Sequence, residues 1–133
     1  MKDNYIYPAI LTYTDNGISI EFPDLPGCLS CAFSDSEALF NAKEVLRGWL
    51  LVSEEDSDDI PEPTPLKSVK ISINQKAVLI DVCLALHREA FENRSVKKTL
   101  SIPAWLNRRA EQENVNFSRV LQDGLKNYLE IAE

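Results

Sequence analysis

Three thiols and one imidazole are the first candidates for chemistry. Cys28-Leu29-Ser30-Cys31 has the spacing of a zinc knuckle or a dithiol pair, and Cys83 with His87 could complete a Cys₃His set. Against this, strand residues three apart point to opposite faces, and no second knuckle answers the first. The thiols read instead as small, partly buried side chains. His87 is the only histidine, so any Ser-His-Asp or Cys-His nucleophile would have to use it. It follows an apolar run with no nucleophile arranged around it, and reads as a surface or linker residue. Carboxylates offer a third chemistry. Glu21 and Asp24 at a strand end and Asp81 in mid-strand could hold Mg²⁺ for phosphodiester hydrolysis, but only if they converged. Their spacing gives no tight set, so we expect no catalytic residue, no metal and no cofactor.

The elements that would carry these residues follow from patterning. Tyr5 to Thr14 is rich in β-branched and aromatic residues, and Asp15-Asn16-Gly17 is a hairpin signal because Asn-Gly accepts positive φ. Ile18, Ile20 and Phe22 then alternate with Ser19 and Glu21. The turn Pro23-Asp24-Leu25-Pro26-Gly27 stops that strand, and Leu29, Cys31 and Phe33 alternate in a third. Ser34 with Glu37 forms a capping box ahead of an amphipathic helix marked by Leu39, Ala42, Val45/Leu46 and Trp49/Leu50. Ser53 to Pro65 holds six acidic residues, three prolines and no basic residue, and reads as an exposed connection. Leu66 to Gln75 is ambiguous between a strand and a short helical turn. Ala77 to Leu84 is a continuous apolar run, a fourth strand returning to the sheet. Arg88 to Ser95 is polar and reads as a linker, giving domains 1–92 and 93–133. Trp49 and Trp105 lie on apolar stripes and read as core anchors.

In the tail, Val96, Lys98, Leu100 and Ile102 face one way while Lys97, Thr99 and Ser101 face the other. Pro103 ends this strand and opens a helix over Ala104 to Glu113, with Trp105, Leu106 and Ala110 inward. A turn at Asn114 to Asn116 leads to a second helix, capped by Asn116 or Ser118, with Val120, Leu121, Leu125, Tyr128 and Leu129 on one face. One strand beside two helices can neither pair its backbone nor bury its apolar residues. A two-fold dimer, with the strands paired as a ribbon over interlocked helices, solves both problems.

Composition bounds the function. The 133 residues are 44% apolar and 26% charged, as in a globular protein, with a formal charge of −7. Residues 1–94 carry 8 basic against 16 acidic residues, and residues 95–133 carry 6 against 5. Such a balance argues against a protein coated in nucleic acid or lying on a membrane, while leaving room for a local basic patch. No apolar run reaches the length of a membrane span, no secretory signal is visible at the start, and an odd, sparse set of cysteines suits a reduced compartment. A cytoplasmic location is expected.

The tail resembles the ribbon-helix-helix family of DNA-binding proteins, on Lys97-Lys98-Thr99-Leu100-Ser101-Ile102-Pro103, the helix, the Asn-containing turn and the second helix. The resemblance implies a two-stranded ribbon in the major groove, with Lys97, Thr99 and Ser101 reading base edges and Lys98 beside them. It also implies that Asn116, Phe117, Ser118 and Arg119, at the start of the second helix, hold a backbone phosphate. The run PDLPGCLSCAFSDSEALFNAKEVLRGWL, the DVCL strand and the tail together resemble the HicB-type antitoxins over nearly the full length. That resemblance implies an α+β protein: an N-terminal, partial ribonuclease-H-like β-β-β-α-β domain that neutralises a small basic HicA-type mRNA interferase toxin, and a C-terminal domain that represses the operon. Partners would be the toxin, operator DNA and a second copy, with a tetramer if the N-terminal domains also pair. Candidate toxin contacts are Asp24, Leu25 and Pro26 at the turn, with the acidic residues after the first helix. Two other functions stay open: a stand-alone ribbon-helix-helix repressor whose N-terminal domain senses a small molecule, and a Mg²⁺ nuclease using Asp81.

Overall fold

The computed structural model describes residues 2–131, which divide into two compact units, Met1–Arg94 and Ser95–Glu133. In the first, strands β1 (Asn4–Thr14), β2 (Gly17–Glu21) and β3 (Leu29–Ala32) precede helix α1 (Asp35–Glu55), strand β4 (Gln75–Cys83) and helix α2 (Arg88–Glu92). The sheet is wholly antiparallel in the order β3-β2-β1-β4. This is the strand-strand-strand-helix-strand order that the patterning predicts.

The hairpin forms where Asn16-Gly17 supplies the turn, with Thr14 opposite Gly17 and Tyr13 opposite Ile18. Pro8 sits inside a strand that has neighbours on both sides, a position that proline usually avoids. Pairing of β1 with β2 begins only at Ile10, so Pro8 lies in the half of β1 that has β4 alone as neighbour. The core lies between the sheet and α1. Tyr7, Ala9 and Leu11 from β1, Ile18 and Ile20 from β2, and Ile80 and Val82 from β4 meet Ala38, Ala42, Leu46 and Leu50 of the helix. Small alanines at successive helical turns let the helix approach closely, and the larger leucines fill the far end. Trp49 packs against this core from its edge.

Three expectations change. The helix does not stop near Leu50 but runs to Glu55, so the acidic segment begins inside it and Ser53 is buried. Its acidic last turn is tolerated because two cations meet it. Arg88 grips Glu54 through both carboxylate oxygens at 3.0 and 3.1 Å, and Arg94 reaches Glu55 at 3.1 Å. Arg88 to Ser95 is therefore not a free linker. Its first half is α2, Phe91 packs on the core, and the Arg94 guanidinium lies 3.7 Å from the Phe91 ring centroid. At Leu66–Ser68, where a strand and a short helical turn were both open, the chain forms a single 3₁₀ turn. In β3 the apolar alternation points outward: Leu29 and Cys31 are exposed, as is Phe33 just past the strand, and Ala32 is the residue buried.

The second unit holds α3 (Ala104–Gln112) and α4 (Phe117–Tyr128). Residues 95–103 form no strand within the single chain, since none of their backbone groups has a ladder partner there. Among the described residues, no helix is long and apolar enough to cross a membrane.

Candidate functional site

The second unit is defined by local caps. Pro103 occupies the N-cap of α3, Asn114 takes the left-handed φ of 53° that ends it, and Asn116 caps α4 by accepting from the Arg119 amide at 3.1 Å. Of the two predicted caps, the chain uses Asn116. That bond occupies the Arg119 amide; the amides of Phe117 and Ser118 stand in the first turn, where no intrahelical acceptor is available. The Arg119 guanidinium is exposed, with Asp123 at 3.9 Å.

No residue of α3 or α4 is buried. Leu100, Ile102, Trp105, Leu106, Val120 and Leu121 instead line an open groove of about 910 Å³. Trp105, read as a core anchor, is 61% exposed at its wall. Lys98 lines the groove with Leu100 and Ile102, whereas Lys97, Thr99 and Ser101 do not, so the alternation read from sequence survives without a regular strand. All three of these polar side chains are exposed.

In the first unit the turn candidates separate. Leu25 is completely buried in the core, so it cannot be a contact. Asp24 is engaged by Thr64, whose amide donates to one carboxylate oxygen at 2.9 Å and whose hydroxyl donates to the other at 2.6 Å. Pro26 alone of the three is exposed. The Tyr7 hydroxyl donates to the carbonyl of Pro61, so two side chains pin the proline-rich connection to the sheet. Burial, reinforced by Tyr5 and the nearby carboxylates Glu62 and Asp24, pushes the Tyr7 phenol up to about 12. The acidic residues after the helix, Asp56, Asp58, Asp59 and Glu62, are all exposed.

The residues weighed for catalysis do not assemble. Cys28 is buried, its thiol pushed up to about 11 by desolvation, while Cys31 is exposed. Glu21 pairs with Ile10 and Asp81 with Ile6, on opposite flanks of β1, a separation of about 13 Å along the strand direction alone. Asp81 is exposed, 3.7 Å from Lys43. His87 precedes α2 and makes no side-chain cap bond. Among the described residues, no group of three or more His, Cys, Asp or Glu could hold a metal ion.

One feature of the surface was missed from the sequence. Tyr13, Asp15, Phe33 and Asp35 line a cleft of about 450 Å³ between the hairpin turn and the start of α1. The only advance signal was an apolar residue directly before the capping serine, which patterning assigned to the strand.

Comparison with known proteins covers most of the chain. A family model described as a HicB-like antitoxin of bacterial toxin-antitoxin systems matches residues 7–123. An uncharacterised 14.9 kDa protein from the rep-hol intergenic region of Haemophilus phage HP1 is 26% identical over 107 residues, 80% of each chain. Among solved structures, a chain of a toxin-antitoxin complex from Streptococcus pneumoniae matches with a TM-score of 0.65 and 22% identity, over 94% of this chain and 99% of that one. A chain of the HicA3 and HicB3 toxin-antitoxin complex matches with a TM-score of 0.50 and 18% identity, over 57% of this chain and 95% of that one.

Proposed function

Because this chain belongs to the HicB-like antitoxins of bacterial toxin-antitoxin systems, we propose that it neutralises a HicA-type mRNA interferase and represses its own operon. The first unit, the partial ribonuclease-H-like module of the sequence reading, covers the toxin's active surface. Its excess of acidic residues suits an RNA-binding, basic partner. The second unit binds operator DNA as a ribbon-helix-helix dimer. No enzymatic step is assigned to either unit.

The observation that carries the repressor half is the absence of any buried residue in α3 or α4. Two helices whose apolar residues surround an open groove have no core of their own. A second copy laid across the groove buries Leu100, Ile102, Val120 and Leu121 and gives residues 96–102 a strand partner. Lys97, Thr99 and Ser101 then lie on the outer face of a two-stranded ribbon. Lys97 donates to guanine acceptors, the hydroxyls donate or accept, and the amides of Phe117 and Ser118 hold a phosphate. Overall negative charge does not oppose this, since affinity follows local phosphate contacts.

The test separates the two activities. Replacing Lys97 and Thr99 together by alanine is expected to abolish retardation of the operator fragment while the protein still rescues cells from the toxin. Loss of both activities in a folded double variant would overturn the assignment of one job to each unit.

A further inference from the structure

The cleft between the hairpin turn and the start of α1 is shaped before anything enters it. Phe33 is 80% exposed, with one edge of its ring against Gly17. A Cβ at Gly17 would stand 2.9 Å from the Ala32 carbonyl oxygen and 3.3 Å from Phe33 Cδ1, and Gly17 has a φ of 129°, so only glycine lets the ring lie against the hairpin. The Phe33 amide donates to Glu37 Oε1 at 3.3 Å, and Ser34 Oγ accepts from the Glu37 amide at 3.2 Å, which fixes the backbone on either side. Across the cleft the Tyr13 hydroxyl donates to Asp35 Oδ1 at 2.7 Å and orients that carboxylate. Asp15 stands on the turn, and no basic residue lines the space. An exposed aromatic ring beside two carboxylates, in a unit with twice as many acidic as basic residues, is complementary to a cationic side chain on a basic protein.

We propose that this cleft is the point where the first unit grips its toxin, by receiving an arginine or lysine side chain of the toxin against the Phe33 ring and between the carboxylates of Asp15 and Asp35. The inference rests on the antitoxin reading and names the docking surface within it. An aromatic side chain with only two rotatable bonds needs little ordering on binding, the property that makes it an interface anchor.

The experiment is a calorimetric titration of the full chain with a catalytically inactive form of the HicA-type toxin encoded beside its gene. Phe33→Ala is expected to weaken binding about 30-fold. Asp15→Asn, which keeps a good turn residue, should weaken it several-fold and reduce its dependence on salt. Leu79→Ala, an exposed apolar truncation on β4, should stay within twofold, and all three variants should retain operator binding. Wild-type binding matched within twofold by both Phe33→Ala and Asp15→Asn would overturn the docking site and leave the antitoxin reading intact. Absence of wild-type binding would overturn both. Self-association of the full chain that Phe33→Ala abolishes would assign the surface to a second copy and also overturn the proposal.

Discussion

At Tyr7 a buried hydroxyl donates to the Pro61 carbonyl and helps tie the proline-rich connection to the sheet. Tyr7→Phe keeps the ring in the core and removes only that bond. A loss of about 1 kcal/mol is expected in denaturant unfolding. The same residue sets an alkaline limit. Its folded value of about 12 lies above the ordinary 10, so the stability it contributes is complete below pH 10 and is lost as the pH rises through 12. Over that interval the wild type should lose more stability than Tyr7→Phe, and equal losses would contradict the assignment. The cysteines differ in the same physical way. Cys31 is exposed, whereas burial holds the Cys28 thiol protonated to about pH 11. Alkylation followed by mass spectrometry at mildly alkaline pH should therefore label Cys31 and spare Cys28 in the folded protein.

Among the elements, the end of α1 and the short helix α2 depend on each other. Arg88 bonds Glu54, Asp3 and the Lys2 carbonyl, joining the last turn of α1 to the residues just before β1 and to α2. Glu54 is well covered in this pair, so Arg88→Ala leaves a poorly solvated carboxylate and should cost about 2 kcal/mol. A double-mutant cycle with Glu54→Ala should show strong coupling; additive losses would contradict the clamp. Neither the helical Glu54 and Glu55 nor α2 was readable in the sequence, and for one reason. Local rules penalise acidic residues in the last turn of a helix and cannot see cations thirty-four and thirty-nine residues away. What was readable rested on local chemistry. Asn-Gly made the hairpin, Ser34 with Glu37 began the helix, and the apolar run near Ala77 made β4. The outward stripe of β3 was not, because alternation reveals two faces without saying which is inside. The tail sits between these cases. Its helices and Asn116 cap follow from the pattern, while its strand needs a partner. Asn116→Ala removes the cap bond to the Arg119 amide and should cost about 1 kcal/mol of helix stability, seen as a lower thermal midpoint for the second unit.

For the whole molecule, the two units differ in what each lacks. The first has a complete core and an acidic surface with one preformed cleft; the second has apolar faces and no core. On the proposed reading, the first unit folds alone and the second is completed by another copy. Leu121→Glu places a charge on the open groove and should convert a dimer to a monomer in sedimentation, with operator binding lost and the first unit still folded. The alternation of Lys97, Thr99 and Ser101 against Lys98, Leu100 and Ile102 was readable because it is local. The candidate toxin contacts were not, because Asp24 and Leu25 are committed by tertiary contacts to Thr64 and to the core. The most direct measurement is growth of cells expressing the HicA-type toxin proposed as partner, with and without this chain, followed by purification through a tag on the toxin. Restored growth with both proteins eluting together is the result expected. Continued arrest despite folded, soluble antitoxin, with no co-purification, would contradict the account at its centre.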